Sequence, residues 1–231
     1  MAHGVRLHVW GERACFTRPE LKVERVSYDA MTPSAARGIL EAIHWKPAIR
    51  WVIDRIHVLR PIRFQSIRRN EVGSKAPVPT IRRAMKAGRL DGLRLQADAD
   101  RQQRAAAVLH DVGYVIEAHF ELTAKADAAE TPGKHLDVFN RRAARGQCFH
   151  QPCLGTREFP AFFAPLPPHA PLPEREDDAR GPELGFRAPR DLGLMLWDID
   201  HAGDRSSLFF RARLRDGVID VPAPDSSQVL R

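Results

Sequence analysis

Apolar and polar residues alternate along Val5–Trp10, with Val5, Leu7 and Val9 on one face and Arg6 and His8 on the other. This period of two predicts a first strand. An irregular basic segment, Gly11–Ser27, follows, in which Arg13, Arg18, Lys22 and Arg25 are interleaved with Phe16. The period then changes. In Thr32–Trp51, TPSAARGILEAIHWKPAIRW, residues Ile39, Leu40 and Ile43 fall at helical spacing, and Ala35, Ala36 and Ala42 permit close packing. Thr32 is a capping residue type and Pro33 suits the first helical position. Pro47 disfavours a helical conformation in the residue before it, so the last turn is expected to present His44, Trp45 and Lys46 together.

Ala48–Leu59 and Pro61–Val72 are rich in β-formers and predict a second and a third strand. Gly73–Arg104 turns polar and charged, and is expected to be an insertion with a short helix near Thr80–Lys86. Gly113–Leu122 restores a strong strand, and a second helix is expected over roughly Gly133–Ala144. Pro160–Pro189 is proline-rich with an acidic run (Glu174, Glu176, Asp177, Asp178) and predicts a long loop with extended segments. Leu192–Asp198, Ser207–Leu214 and Val218–Val221 complete the strands, the last two joined by an Asp216-Gly217 turn. The order predicts an α+β fold, with a ferredoxin-like (RRM-like) antiparallel sheet and helices on one face. One feature departs from that pattern: the second helix follows the fourth predicted strand instead of preceding it. The expected domains are a ferredoxin-like RNA-binding domain over 1–150, with residues 73–105 as a polar insertion, and a β-rich C-terminal region over 151–231.

Composition narrows the function classes. With 231 residues and 43% hydrophobic content the chain can bury a substantial core. No apolar run approaches the ~20 residues needed to span a bilayer. The N-terminus lacks the apolar core of a signal peptide, so a cytoplasmic protein with no membrane partner is expected. Three cysteines (Cys15, Cys148, Cys153) cannot be fully paired, which fits a reducing compartment. Residues 1–110 carry a net charge of +11 and residues 111–231 carry −4. A polyanion gripped by the first half is the natural partner, and a solvated basic surface is the competing reading.

The titratable residues suggest a chemistry. His44 at a helix end and Gly133-Lys134-His135 offer two imidazoles and an ammonium. Those groups suffice for RNA cleavage without a metal or other cofactor: an imidazole removes the ribose 2′-hydroxyl proton, a conjugate acid protonates the departing 5′-oxygen, and the lysine stabilises the added negative charge. Ordinary surface or core histidines are the alternative. The GKH tripeptide lacks the upstream glycines of a phosphate-binding loop, which excludes that class of ATPase. Cys148, His150 and Cys153 lack the spacing of a zinc finger, so no metal is expected, and Gly146 and Gly155 fit a loop lying near an RNA backbone. Arg68 and Arg69 at a strand end, and Arg141, Arg142 and Arg145 near a helix end, are phosphate-binding candidates. No helix-turn-helix or finger pattern supports a duplex-DNA regulator.

The long segment ACFTRPELKVERVSYDAMTPSAARGILEAIHWKPAIRW, with IRRNEVGSK, GKH and RGQCFHQPCLGTREF, resembles the CRISPR-associated "Cas five" family of type I-C systems (the Dvulg subtype), within the repeat-associated RNA-binding superfamily. The resemblance covers about Val5–Phe163. It implies an endoribonuclease that cuts CRISPR repeat RNA, retains the 5′ handle of the guide RNA, and joins a Cascade complex with backbone and large subunits, meeting target DNA only indirectly. A non-catalytic scaffold capping the guide 5′ end is the alternative. The family's Lys-His pair falls on Lys134 and His135, and its helix-end catalytic position falls on His44, where relatives carry tyrosine. His44 is expected as general base with His135 as its partner, the two labels being exchangeable, and Lys134 as transition-state stabiliser. Expected RNA-binding residues are Arg13, Arg18, Lys22, Arg25, Arg37, Lys46, Arg68, Arg69, Arg141 and Arg145.

Overall fold

The computed structural model describes residues 4–21, 23–75, 77–90, 93–174, 188–201 and 203–231. Among them are nine strands and three helices. The alternation at the N-terminus builds β1 (Gly4–Ala14), whose Val5, Leu7 and Val9 are buried. The amphipathic stretch builds α1 (Pro33–Ile43), which buries Ala36, Ile39, Leu40 and Ile43 against β3 (Ile49–Val58) and β7 (Arg190–Ile199). Thr32 Oγ1 accepts from the Ala35 amide at 3.3 Å, the expected cap. The helix stops at Ile43, earlier than Pro47 alone requires. His44 is already extended (φ −151°, ψ 119°), so Trp45 and Lys46 lie beyond the last turn.

The central strand is β5 (Arg101–Leu122), twelve residues longer at its start than the apolar stretch predicted. It pairs antiparallel with β1 and with β3, and β1 pairs antiparallel with β6 (Phe162–Pro165). The order β6-β1-β5-β3, with α1 and α3 (Pro132–Ala144) as the two helices, is the ferredoxin-like 4-1-3-2 arrangement. This resolves the misplaced helix of the sequence reading. The fourth strand is β6, one extended segment of the proline-rich stretch expected to be mainly loop, and it follows α3. β6 is only four residues long and ends on Pro165, so it has no recognisable alternation of its own. The sheet continues from β3 through β9 (Val218–Asp220), β8 (Ser207–Arg215) and β7. Asp216 and Gly217 both take positive φ (50° and 75°) in the turn between β8 and β9, as a two-residue primed hairpin demands. A two-residue strand, β2 (Arg25–Val26), also pairs with β5.

Two compact units are present: residues 1–65 with 107–231, and residues 66–106. The second contains most of β4 (Phe64–Val72), the start of β5 and α2 (Val78–Ala87), which overlaps the helix expected near Thr80–Lys86. It holds ten Lys and Arg against four Asp and Glu, a net +6 of the chain's +7. α2 has no buried residue.

Candidate active site

Two local signals of the same kind bring the site together. Thr131-Pro132 starts α3 as Thr32-Pro33 starts α1, and Thr131 Oγ1 accepts from the Lys134 amide at 3.4 Å. His135, Phe139 and Ala143 then fall four residues apart and form the buried stripe of α3, which packs on α1. His135 therefore occupies a core position and points at the C-terminal end of α1. There the extended backbone of His44 turns its ring inward, and His44 Nε2 lies 3.0 Å from His135 Nδ1 in a ring-to-ring hydrogen bond. His44 is 3% exposed and His135 1%.

The surroundings fix both rings. Trp51 Nε1 donates to the His44 carbonyl at 2.8 Å, and an Arg142 guanidinium N–H donates to the Ile43 carbonyl at 2.9 Å. Trp51 also packs on Phe120 and Phe139, and Phe120 lies edge-on to His135. On its outer side, His135 Nε2 is 2.9 Å from Glu130 Oε2. Lys134 Nζ is 3.3 Å from the same oxygen, and Lys46 Nζ is 3.2 Å from Oε1. From solvent inward the layers are the two lysines, Glu130, His135 and His44.

Electrostatics follow from this order. Burial pushes His44 down to about 4, with the adjacent His135 ring, Arg142 and Lys46 acting in the same direction. Burial also lowers His135; Glu130 opposes that shift, while Lys46 and Lys134 add to it. Desolvation works against ionisation of Glu130, but the Lys46 hydrogen bond and the charges of Lys46 and Lys134 outweigh it and hold the carboxyl below its ordinary range. At neutral pH the site is thus two neutral imidazoles in series, one carboxylate and two ammoniums. The imidazoles touch each other. They do not stand on opposite sides of a phosphate-sized gap, which is the arrangement two independent acid and base groups would need.

The family described as "CRISPR-associated protein (Cas_Cas5)" matches residues 4–222. The chain belongs to this Cas5 family. It is 56% identical over 231 residues, the whole of both chains, to the CRISPR pre-crRNA endoribonuclease Cas5d of Mannheimia succiniciproducens. It is 39% identical over 246 residues, 98% of this chain and 95% of the relative, to the CRISPR pre-crRNA endoribonuclease Cas5d of Thermus thermophilus. A solved structure described as "Crystal Structure of CRISPR-associated Protein" shares the fold at a TM-score of 0.67 and 22% identity, over 99% of this chain and 96% of that one.

In this Cas5 chain the other candidate residues are dispersed. Arg37 is spent on internal bonds: its Nε and Nη2 donate to both carboxylate oxygens of Asp198 at 2.8 and 2.9 Å, and its Nη1 donates to Glu41 at 2.7 Å. It locks α1 to β7 instead of offering a free fork to phosphate. Arg13 pairs with Glu12 and Gln65, Arg18 lies 4.6 Å over the Tyr28 ring, and Arg25 pairs with Glu158. Arg68 is exposed and Arg69 pairs with Glu71 within the 66–106 unit, while Arg141 and Arg145 are exposed at the end of α3. Lys22 lies outside the described residues. Gly155 does not lie open for RNA: with φ at +87°, a Cβ there would sit 2.0 Å from the Cys15 carbonyl, so its freedom serves packing against the end of β1. Sequence reasoning missed Glu130, Trp51 as the anchor of His44, and Arg142 as a helix-end donor. The adjacency of Glu130 to the Thr131-Pro132 cap was the one signal that could have found it.

No helix among the described residues is long and apolar enough to cross a membrane.

Proposed function

We propose that this chain is a metal-independent endoribonuclease that cuts CRISPR repeat RNA and retains the 5′ handle as a subunit of a type I-C Cascade complex. In that role it works in the cytoplasm beside backbone and large subunits, and meets target DNA only through the assembled complex. The observation that carries the reading is the convergence of His135, Lys46 and Lys134 on one point, with His44 bonded behind His135, in a chain 56% identical from end to end to a pre-crRNA endoribonuclease.

The series arrangement suggests distinct roles for the imidazoles. His135 Nε2, on the lysine side, takes the 2′-hydroxyl proton. With RNA in place of the carboxylate, the tautomer with Nε2 unprotonated has His135 Nδ1–H donating to His44 Nε2, which so steadies the imidazolium that forms, as a neutral partner can. The 2′-oxygen attacks the adjacent phosphorus, the bond to the 5′-oxygen breaks, and that oxygen leaves with a proton from the Lys134 ammonium. The products are a 2′,3′-cyclic phosphate and a 5′-hydroxyl, and His135 returns its proton through solvent to the lysine. Lys46 and Lys134 stabilise the added charge on the phosphoryl oxygens. Arginines on the 66–106 unit, with its net +6, supply phosphate contacts along the RNA.

The test is cleavage of the repeat RNA encoded beside this gene in excess chelator. Undiminished cutting is expected, as is its abolition by a 2′-deoxy nucleotide 5′ of the cut. Cutting of the deoxy substrate would reject attack by the 2′-hydroxyl. Burial of both imidazoles favours a second reading, a scaffold that binds the guide 5′ end without cutting it. His135→Ala separates the two: lost cleavage with retained RNA affinity supports the enzyme, and parallel loss supports the scaffold.

A further inference from the structure

The layering of the site has a chemical consequence for how RNA enters. Neither imidazole is reachable from solvent, and the half-exposed groups on the approach are Lys46 and Lys134, at 49% and 46% side-chain exposure. Between them and His135 stands the Glu130 carboxylate, 14% exposed. Its two oxygens meet an ammonium, a second ammonium and an imidazole nitrogen at 3.2, 3.3 and 2.9 Å. It also lies one residue before the cap of the thirteen-residue α3, at the helix end that favours anions. Those are the partners a phosphodiester's non-bridging oxygens would seek.

The carboxylate fills this cradle incompletely. Lys46 donates a hydrogen bond to Oε1, yet Oε2 and His135 Nε2 are both buried and neither has a well-aligned hydrogen bond. A carboxylate has two oxygens in one plane, whereas a phosphodiester carries the same single charge on a tetrahedral frame and gains a second negative charge, matched to two ammoniums, only as the 2′-oxygen attacks. We infer that Glu130 is an internal stand-in for the scissile phosphate, holding the anion site formed by Lys46, Lys134 and His135 in the free protein and being displaced from it by RNA. Displacement uncovers His135 Nε2 at the moment the phosphate arrives. The nitrogen that meets the 2′-hydroxyl is thereby kept away from water until substrate is bound. This inference rests on the nuclease reading for the identity of the RNA.

The experiment compares wild type with Glu130→Gln and Glu130→Ala, with thermal melting to confirm folding. Affinity is measured with repeat RNA made uncleavable by a 2′-deoxy nucleotide at the cut, and cleavage by single-turnover rate at subsaturating unmodified RNA. Removing the competitor should tighten binding about threefold to tenfold, the range expected for freeing two partly exposed ion pairs. The subsaturating rate should rise with it. In a Lys46→Ala background the gain from Glu130→Gln should shrink to less than about twofold, because the two residues act on one site. Unchanged or weaker binding in both Glu130 variants would overturn the inference, and a slower subsaturating rate with unchanged affinity would make Glu130 a positioning residue for His135. If wild type binds the blocked RNA but never cuts the unmodified one, the nuclease reading fails while the affinity comparison still decides the role of the carboxylate. Failure to bind at all rejects both.

Discussion

Acid should weaken this protein through His44, and the size of the effect can be worked out. The His44 imidazole titrates near 6.5 when unfolded and is pushed to about 4 in the folded chain by burial, His135, Arg142 and Lys46. Between those values the unfolded chain binds a proton that the folded chain refuses, so stability falls as pH falls. The contribution is complete above 6.5, is about 2 kcal/mol lower by pH 5, and levels off about 3 kcal/mol lower below pH 4. For a urea dependence near 2 kcal/mol/M, the midpoint should drop by roughly 1 M between pH 7.5 and 5 from this residue alone. The assay is urea denaturation across that range for wild type and His44→Phe, whose ring cannot titrate. The difference between the two curves separates His44 and its bonded partner His135 from the other eight histidines. His44→Phe should be less stable at pH 7.5, having lost the bond to His135, but its stability should decline less on acidification. Identical slopes, or an NMR titration of the His44 ring with a midpoint at or above 6, would refute the reasoning. The same low value means that His44 is not an imidazolium at neutral pH and cannot serve as the general acid, which is why the cleavage mechanism uses it as an acceptor.

Three other replacements test parts of the framework. Trp51→Phe leaves the His44 carbonyl without its buried donor and should cost about 1–3 kcal/mol by denaturation, while slowing cleavage through a less ordered His44; unaltered stability would mean the 2.8 Å bond is dispensable. Thr131→Ala removes the α3 cap and should cost about 1 kcal/mol, measured by thermal or urea unfolding; no loss would mean the long 3.4 Å contact contributes nothing. Arg37→Ala breaks a bidentate bond to Asp198 and should lower unfolding free energy by about 2 kcal/mol with little change in RNA affinity; the reverse pattern would return Arg37 to the RNA-binding set.

Much of the architecture was readable along the chain because its signals act over a few residues. The period of two in Val5–Trp10, the period near four in α1, the Thr-Pro pairs at two helix starts and the Asp216-Gly217 hairpin each express a steric or hydrogen-bonding preference that needs no distant partner. The residues themselves offered His44 and Lys134-His135 as candidates, and family resemblance matched them to one site. It could not say that the two rings bond directly, nor in which order they face the substrate.

Those points depended on pairings that local preference does not encode. β6 is too short to show a pattern, and becomes the fourth ferredoxin strand only because β1 presents a free edge to it. His44 and His135 are 91 residues apart, and meet because α1 and α3 pack on the same sheet with their buried stripes ending at one level. Glu130 is an unremarkable surface carboxylate in the sequence, and Arg37 looked like an RNA contact until Asp198 was brought beside it from β7. The sequence by itself determined where the helices and most strands begin, though not β5 or β6, and which residues carry reactive groups, since those follow from neighbouring residues. Tertiary structure alone decided which charges neutralise each other, which imidazole lies behind the other, and which carboxylate stands at the entrance, because each of these is a distance between residues set by long-range packing.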